Sequence, residues 1–260
     1  MKQLVVFDLD GTLAASKSPL SSEIAHLLRL LLTVTRVAVI SGGSWTQFET
    51  QLLTSLTHDC RLENLFLLPT CGTKFFHFDD EWVMDYSEDL TRSERTTIVT
   101  ALTRALEESG VKVAKVWGDV IEDRGSQVTL SALGQEAPLS AKGQWDPDFA
   151  KRTKIVTILT TLLQGFAINM GGTSSIDVTK PGIDKAYGIE KLRAHLGIEI
   201  AQMLFVGDAI FEGGNDFAAQ RVGVDSILVR DPRETARVIQ TIIACLGDGA
   251  TQMVAPAHAS

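Results

Sequence analysis

Cysteine is scarce in this chain, with three in 260 residues. Cys60, Cys71 and Cys245 are odd in number, far apart and outside any CxxC spacing. Neither a disulfide framework nor a zinc site is therefore expected, and a reducing compartment fits. Positive charge is also short: 24 Lys and Arg face 32 Asp and Glu, a formal net charge of -8. That balance argues against nucleic acid or an anionic membrane as a general partner, since both would be repelled, although it leaves room for a locally basic pocket. No apolar run is long enough to span a bilayer. The first residues lack a basic segment followed by an apolar stretch and a small-residue cleavage site. A cytoplasmic protein with no membrane partner is the expectation. The five histidines show no metal-ligand spacing; His26 and His195 fall in expected helices and His258 in a tail. There is no internal repeat.

What is present is a globular composition, 45% hydrophobic and 22% charged, in a chain near the size at which one core divides into two. Leu4 to Phe7, Val37 to Ile40, Leu65 to Leu68, Met203 to Val206 and Ser226 to Val229 read as short buried strands. Apolar periodicity predicts helices between them over Ser21 to Thr35, Trp45 to Leu56, Lys185 to His195, near Asn215 to Arg221, and up to Leu246. Strand and helix in alternation imply an α/β fold with a parallel sheet. Near Asp85 the pattern changes to a helix at Thr96 to Glu108, strands at Lys112 to Val116, Gln127 to Leu130 and Ala167 to Met170, a loop over 134 to 152 and a helix at Lys154 to Leu163. The expected layout is core over 1–84, an inserted α+β cap over 85–181, core again over 182–248, and a loose tail over 249–260.

Asp8 and Asp10 stand at the end of the first strand, in FDLDGT. In an open α/β sheet that edge is where ligands bind. Two carboxylates on one side of an extended segment repel each other unless a cation lies between them, and a hard divalent ion suits oxygen donors. Three other stretches fall at equivalent places: Ser41-Gly42, Lys185, and Gly207-Asp208 followed by Gly213-Gly214-Asn215-Asp216. Taken singly each has a bland reading: a polar turn, a Ser-Gly-Gly turn, a solvated lysine, a capped loop. Taken together they make an anion-and-metal site, with Ser41, Gly42 and Asn215 for phosphate oxygens, Lys185 as a point charge, and Asp8, Asp10, Asp208 and Asp216 around Mg2+.

The motifs FDLDGT, ISGG, the lysine of GIDK and VGDAIFEGGND resemble those of the haloacid dehalogenase superfamily over essentially the whole chain. The position of the insert resembles that family's type IIB caps. The resemblance implies a Rossmann-like core, Asp8 as a nucleophile that forms an aspartyl-phosphate, Asp10 as general acid and base, and Mg2+ as cofactor. The substrate it implies is a small phosphorylated molecule, handled by a monomer or homodimer.

Within the superfamily, EDRGSQVTLSALGQ and GGTSSIDVTKPGIDK are similar to the eukaryotic-type phosphomannomutases. Residue by residue, Arg124 falls on the first cap arginine, and Ser175 and Asp177 on the serine and aspartate that hold the substrate. Gln135 and Lys142 stand where second and third arginines are expected. An amide lacks the charge of a guanidinium, and lysine replaces its planar fork with a point charge. A weakened distal-phosphate site favours a Mg2+-dependent phosphatase acting on a sugar phosphate, with a hexose phosphate mutase as the alternative. A phosphosugar-binding protein without turnover is disfavoured by the intact Asp8 and Asp10. Trp117, Trp145 and Tyr187 offer rings for stacking on a sugar, though core packing is the commoner use of such residues.

Overall fold

The computed structural model describes residues 1–57 and 59–247; the expected tail at 249–260, with His258, lies outside the described residues. In chain order the elements are β1 (Leu4–Phe7), α1 (Ser22–Leu31), β2 (Arg36–Ile40), α2 (Trp45–Gln51), β3 (Leu65–Leu68), β4 (Lys74–Asp79), β5 (Glu81–Ser87), α3 (Arg92–Glu108), β6 (Ile121–Asp123), β7 (Gln127–Ser131), α4 (Leu139–Trp145), α5 (Ala150–Leu162), β8 (Ala167–Gly171), β9 (Ser175–Thr179), α6 (Lys185–Leu196), β10 (Met203–Gly207), α7 (Phe217–Arg221), β11 (Asp225–Leu228) and α8 (Pro232–Leu246).

A seven-stranded sheet has the order β11-β10-β1-β2-β3-β4-β5. The strands from β11 to β3 pair in parallel, and β4 and β5 add an antiparallel hairpin at one edge. Its central strands are apolar throughout because helices cover both faces. On one face Ile24, Leu28 and Leu31 of α1 and Ile239 of α8 pack on Val5, Phe7 and Val39. On the other, Ile189 and Leu192 of α6 pack on Leu4, Val6 and Phe205. The carboxyl ends of β1, β2 and β10 thus lie side by side at one edge.

The second sheet, β6-β7-β9-β8, is antiparallel. Ile98 and Leu102 of α3 with Ile155 and Leu159 of α5 pack on Val128, Leu130, Ile176 and Val178. Side chains alternate along a strand, so the same pairing turns Thr129, Ser175 and Asp177 to the uncovered face. This α/β core with an α+β cap is the expected fold class.

Several details differ from the sequence-based expectation, among them the strands β6 and β9 and the end of α2 at Gln51 rather than Leu56. Lys112 to Val116 is not a strand. Its neighbourhood is the small cluster of Leu133, Ala137 and Trp145, onto which Val113 packs, while β6 takes the free edge of β7. The β4–β5 hairpin was hidden because β5 is a half-exposed edge strand and its turn is made by Asp80 at φ +60° rather than by glycine. It carries the large sheet on to Ser87. The polar stretch 134 to 152 holds α4 and the first turn of α5. The last short helix begins at Phe217 rather than Asn215.

Candidate active site

Three carboxylates converge at the edge formed by β1 and β10. Asp8, Asp208 and Asp216 each offer an oxygen, and these oxygens lie within 4.8 Å of one another. The surrounding backbone is shaped for this. Gly11, at φ +90°, leaves no room for a Cβ because Asp208 occupies that space, so glycine is required on conformational and steric grounds. Thr12 donates its hydroxyl to Asp208 at 3.2 Å, and the amide of Ala209 donates to Asp216 at 2.9 Å.

Lys185 reaches the same carboxylates from the start of α6. Asp184 caps that helix by accepting from the amide of Tyr187 at 3.1 Å, which fixes Lys185 at its first position. The lysine is 1% exposed. Its Nζ donates to Asp8 at 2.5 Å and also to Asp216. Burial works against the ammonium, but Asp216 and Asp8 outweigh it and hold the lysine pKa above its ordinary value. Burial pushes the Asp8 carboxyl well up, with Lys185 pulling the other way and Asp216 adding to the rise. Asp208 is raised by burial and then by Asp216. One ammonium therefore faces three carboxylates, and the site is short of positive charge. A set of hard oxygen donors in that condition fits a divalent cation such as Mg2+.

Asp10 lies apart from this cluster. Its Oδ2 accepts from Gln47 at 2.6 Å. Its Oδ1 accepts from the amide nitrogen of Lys17 at 2.8 Å and from Gln51 at 3.2 Å. Asp10 was grouped with the metal ligands from its place in the motif. The structure gives its carboxylate amide partners, and the three converging carboxylates are the other members of that set.

Ser41 directly follows β2 and is buried, with its hydroxyl accepting from the amide of Gly43 at 3.1 Å. The cap reaches down to this turn: Arg124 and Gln127 both donate to the carbonyl of Gly42, at 2.5 and 3.2 Å. Arg124 is also paired with Glu122 at 2.6 Å. Asp177 accepts from Thr129 at 2.7 Å, and burial raises its carboxyl against the pull of Arg124. Ser175 donates to the carbonyl of Gly171 at 2.7 Å. Asn215 is exposed on the loop between β10 and α7, with no side-chain hydrogen bond among the described residues.

Sequence reasoning missed Lys17, Gln47, Gln51 and Glu122. Lys17 lies in a turn at φ +54°, and its Nζ donates to the carbonyl and the side-chain oxygen of Gln135 at 2.9 and 2.5 Å. Lys142 donates to the same carbonyl at 3.3 Å. Two ammonium groups thus meet at Gln135. Burial of its amine, then Lys142 and Arg124, bring Lys17 down to about 8, against the opposing pull of Glu122 and Asp10. A basic residue soon after FDLDGT was the available signal. The three aromatics play no part here: Trp117 and Trp145 pack in the cap, and the Tyr187 hydroxyl donates to Glu88.

A Rossmann-like core, a cap inserted over its carboxyl edge and an aspartate cluster with a buried lysine define a haloacid dehalogenase-type phosphotransferase. Known proteins narrow the class. The profile described as "Eukaryotic phosphomannomutase" matches residues 27–245, and the chain belongs to that family. It is 24% identical over 230 residues to a phosphomannomutase of Spinacia oleracea, covering 84% of this chain and 87% of that one. It is 25% identical over 259 residues to a phosphomannomutase of Encephalitozoon cuniculi, covering 95% and 96%. Among solved structures, the IMP-nucleotidase of Plasmodium falciparum superposes with a TM-score of 0.68 at 18% identity, covering 96% of this chain and 64% of that one. A haloacid dehalogenase-like hydrolase from Bacteroides thetaiotaomicron gives 0.61 at 18% identity, covering 93% and 100%. Those two likenesses bear on the fold alone.

Proposed function

We propose that the protein is a hexose phosphate mutase acting on mannose phosphates. The observation that carries this reading is the group of three cations, Lys17, Arg124 and Lys142, gathered where core and cap meet on the Asp10 side of the cleft. The replacement of two cap arginines by Gln135 and Lys142 had favoured a phosphatase. Lys17 supplies from the core the charge that Gln135 lacks, so a second phosphate can be held while the first reacts. The family match favours the mutase as well.

In this reading residues 1–84 and 182–248 form the catalytic core and 85–181 the cap. Asp8, Asp208 and Asp216 would hold Mg2+, which supplies positive charge to the phosphoryl oxygens. Lys185 shares that task and keeps Asp8 oriented. Asp8 attacks phosphorus, the bond from phosphorus to the sugar oxygen breaks, and Asp10 gives that oxygen its proton. For the return step Asp10 takes the proton from a hydroxyl of the bound hexose monophosphate as that oxygen accepts the phosphoryl group. The bisphosphate turns over and returns its other phosphoryl group to Asp8. Arg124, Lys17 and Lys142 hold whichever phosphate is remote from Asp8, while Ser175 and Asp177 face the sugar. Phosphoryl transfer depends mainly on in-line placement and charge neutralisation, and these residues supply both.

The test is interconversion of mannose 1-phosphate and mannose 6-phosphate by the purified protein with Mg2+ and hexose 1,6-bisphosphate, with free phosphate measured in the same samples. Isomer exchange that outpaces phosphate release is expected. Phosphate release without exchange would overturn the mutase in favour of the phosphatase.

A further inference from the structure

Asp10 is held from outside its own loop. Gln47 and Gln51 are four residues apart in α2, so they share a helix face, and both side-chain amides point at the same carboxylate. Gln51 is 2% exposed, an uncommon burial for an amide. Its Nε2 also donates to the carbonyl of Ser18 at 2.9 Å. Both partners of that nitrogen are acceptors, which settles which end of the amide faces Asp10. Gln47 reaches Asp10 by folding across Gly43, where a Cβ would overlap its amide group. The second glycine of ISGG therefore has a task apart from phosphate: it leaves room for Gln47.

A carboxylate has about four lone-pair sites, two on each oxygen. The Lys17 amide and Gln51 take both sites on Oδ1, and Gln47 takes one on Oδ2. One site on Oδ2 is left. We propose that Gln47 and Gln51 are positioning residues for proton transfer by Asp10, and that they select this Oδ2 site as the one that carries the exchanged proton. The proposal rests on the phosphotransfer reading above. It concerns which atom of Asp10 acts and in what direction. When the bond from phosphorus to the sugar oxygen breaks, the proton passes from that site to the sugar oxygen and the electron pair of the O–H bond stays on Oδ2. The three donors then solvate the carboxylate without moving.

The dependence on leaving group tests this. A sugar alkoxide needs a proton as it departs, whereas p-nitrophenolate does not. Wild-type protein, Gln47→Met and Gln51→Met are compared with Mg2+ on mannose 1-phosphate and p-nitrophenyl phosphate. The quantity read is the ratio of kcat on the sugar phosphate to kcat on the nitrophenyl ester. General acid catalysis contributes about 10²–10⁴-fold, so a misdirected proton should lower that ratio at least ~10-fold in Gln47→Met, with KM for mannose 1-phosphate little changed. Gln51→Met also strips Ser18 of its donor and can fail to fold; Gln47 is part-exposed, so its variant answers alone. A ratio within about twofold of wild type overturns the proposal, whether both rates fall together, as for a purely structural role, or neither falls. Wild-type protein that transfers phosphoryl groups from neither donor overturns the functional reading and this proposal with it.

Discussion

Lys17 offers the sharpest pH test of the proposed distal-phosphate site. Burial of its amine, and then the charges of Lys142 and Arg124, bring its pKa down to about 8 against the pull of Glu122 and Asp10. A lowered lysine pKa means that the protonated form is lost as pH rises through that value, so attraction for a phosphate dianion is nearly full at pH 7, about halved at pH 8 and fades above it. One pH unit above the pKa leaves about a tenth of the group charged, so Kd should weaken up to about tenfold between pH 7 and pH 9. Loss of a hydrogen bond to a charged group costs about 1.5–3 kcal/mol, so Lys17→Met should weaken binding roughly 10- to 150-fold at pH 7. Lys17→Arg keeps the charge at every pH in the range, and should bind at pH 9 about as it does at pH 7. The assay is calorimetric binding of mannose 1-phosphate to Asp8→Asn protein carrying each Lys17 variant. If Lys17→Arg loses affinity above pH 8 as steeply as the parent, another group titrates and the reasoning fails.

Three further outcomes follow from the buried charges. Lys185→Met leaves Asp8 and Asp216 buried beside each other without their cation, a change of the kind that costs about 3–5 kcal/mol; urea unfolding in EDTA should show it, added Mg2+ should recover part, and a loss under about 1 kcal/mol would refute it. Asp208→Asn removes the charge of one of three converging carboxylates and should weaken Mg2+ binding by at least the roughly 10-fold seen on losing an outer-shell partner, read by titration calorimetry, against no change if the ion binds elsewhere. In the cap, Arg152 and Asp146 form a pair at 2.8 Å with side chains 2% and 0% exposed, and Arg152 also holds the carbonyls of Gly171 and Gly172 ahead of Ser175. Arg152→Met should destabilise by about 3–5 kcal/mol and Arg152→Met with Asp146→Leu by clearly less, because the second change removes the stranded carboxylate; equal losses would count against the account.

Much of the core was legible because its signals are local. Apolar runs such as LVVF and VAVI fix buried strands, and each chemical motif sits within a few residues of a strand end, so order along the chain was enough to place Asp8, Lys185, Asp208 and Asp216 together. The edge hairpin was not legible, since β5 mixes exposed and half-buried residues and gives no clean period. Partners distant in sequence were harder still. Gln47 lies 37 residues from Asp10, and Lys17 lies 118 residues from Gln135. No motif of either segment encodes those distances; packing of α2 and of the cap against the core creates them.

The same limit explains why a position-by-position comparison of the cap pointed toward hydrolysis. Counting arginines along the chain treats each position as an independent donor. A phosphate responds to the summed field of whatever charges surround it, and it does not register which strand or loop supplies each one. In the proposed site the cap supplies Arg124 and Lys142 and the turn after β1 supplies Lys17, whose pKa is depressed first by burial and then by those two cations. Gln135 then acts as the acceptor at which Lys17 and Lys142 meet. An arginine there would add a fourth cation to a group that already repels itself, whereas an amide lets two lysines approach closely. The amide at 135 and the lysine at 17 are in this sense one arrangement, with Arg124 and Lys142 contributed by the cap and Lys17 by the core.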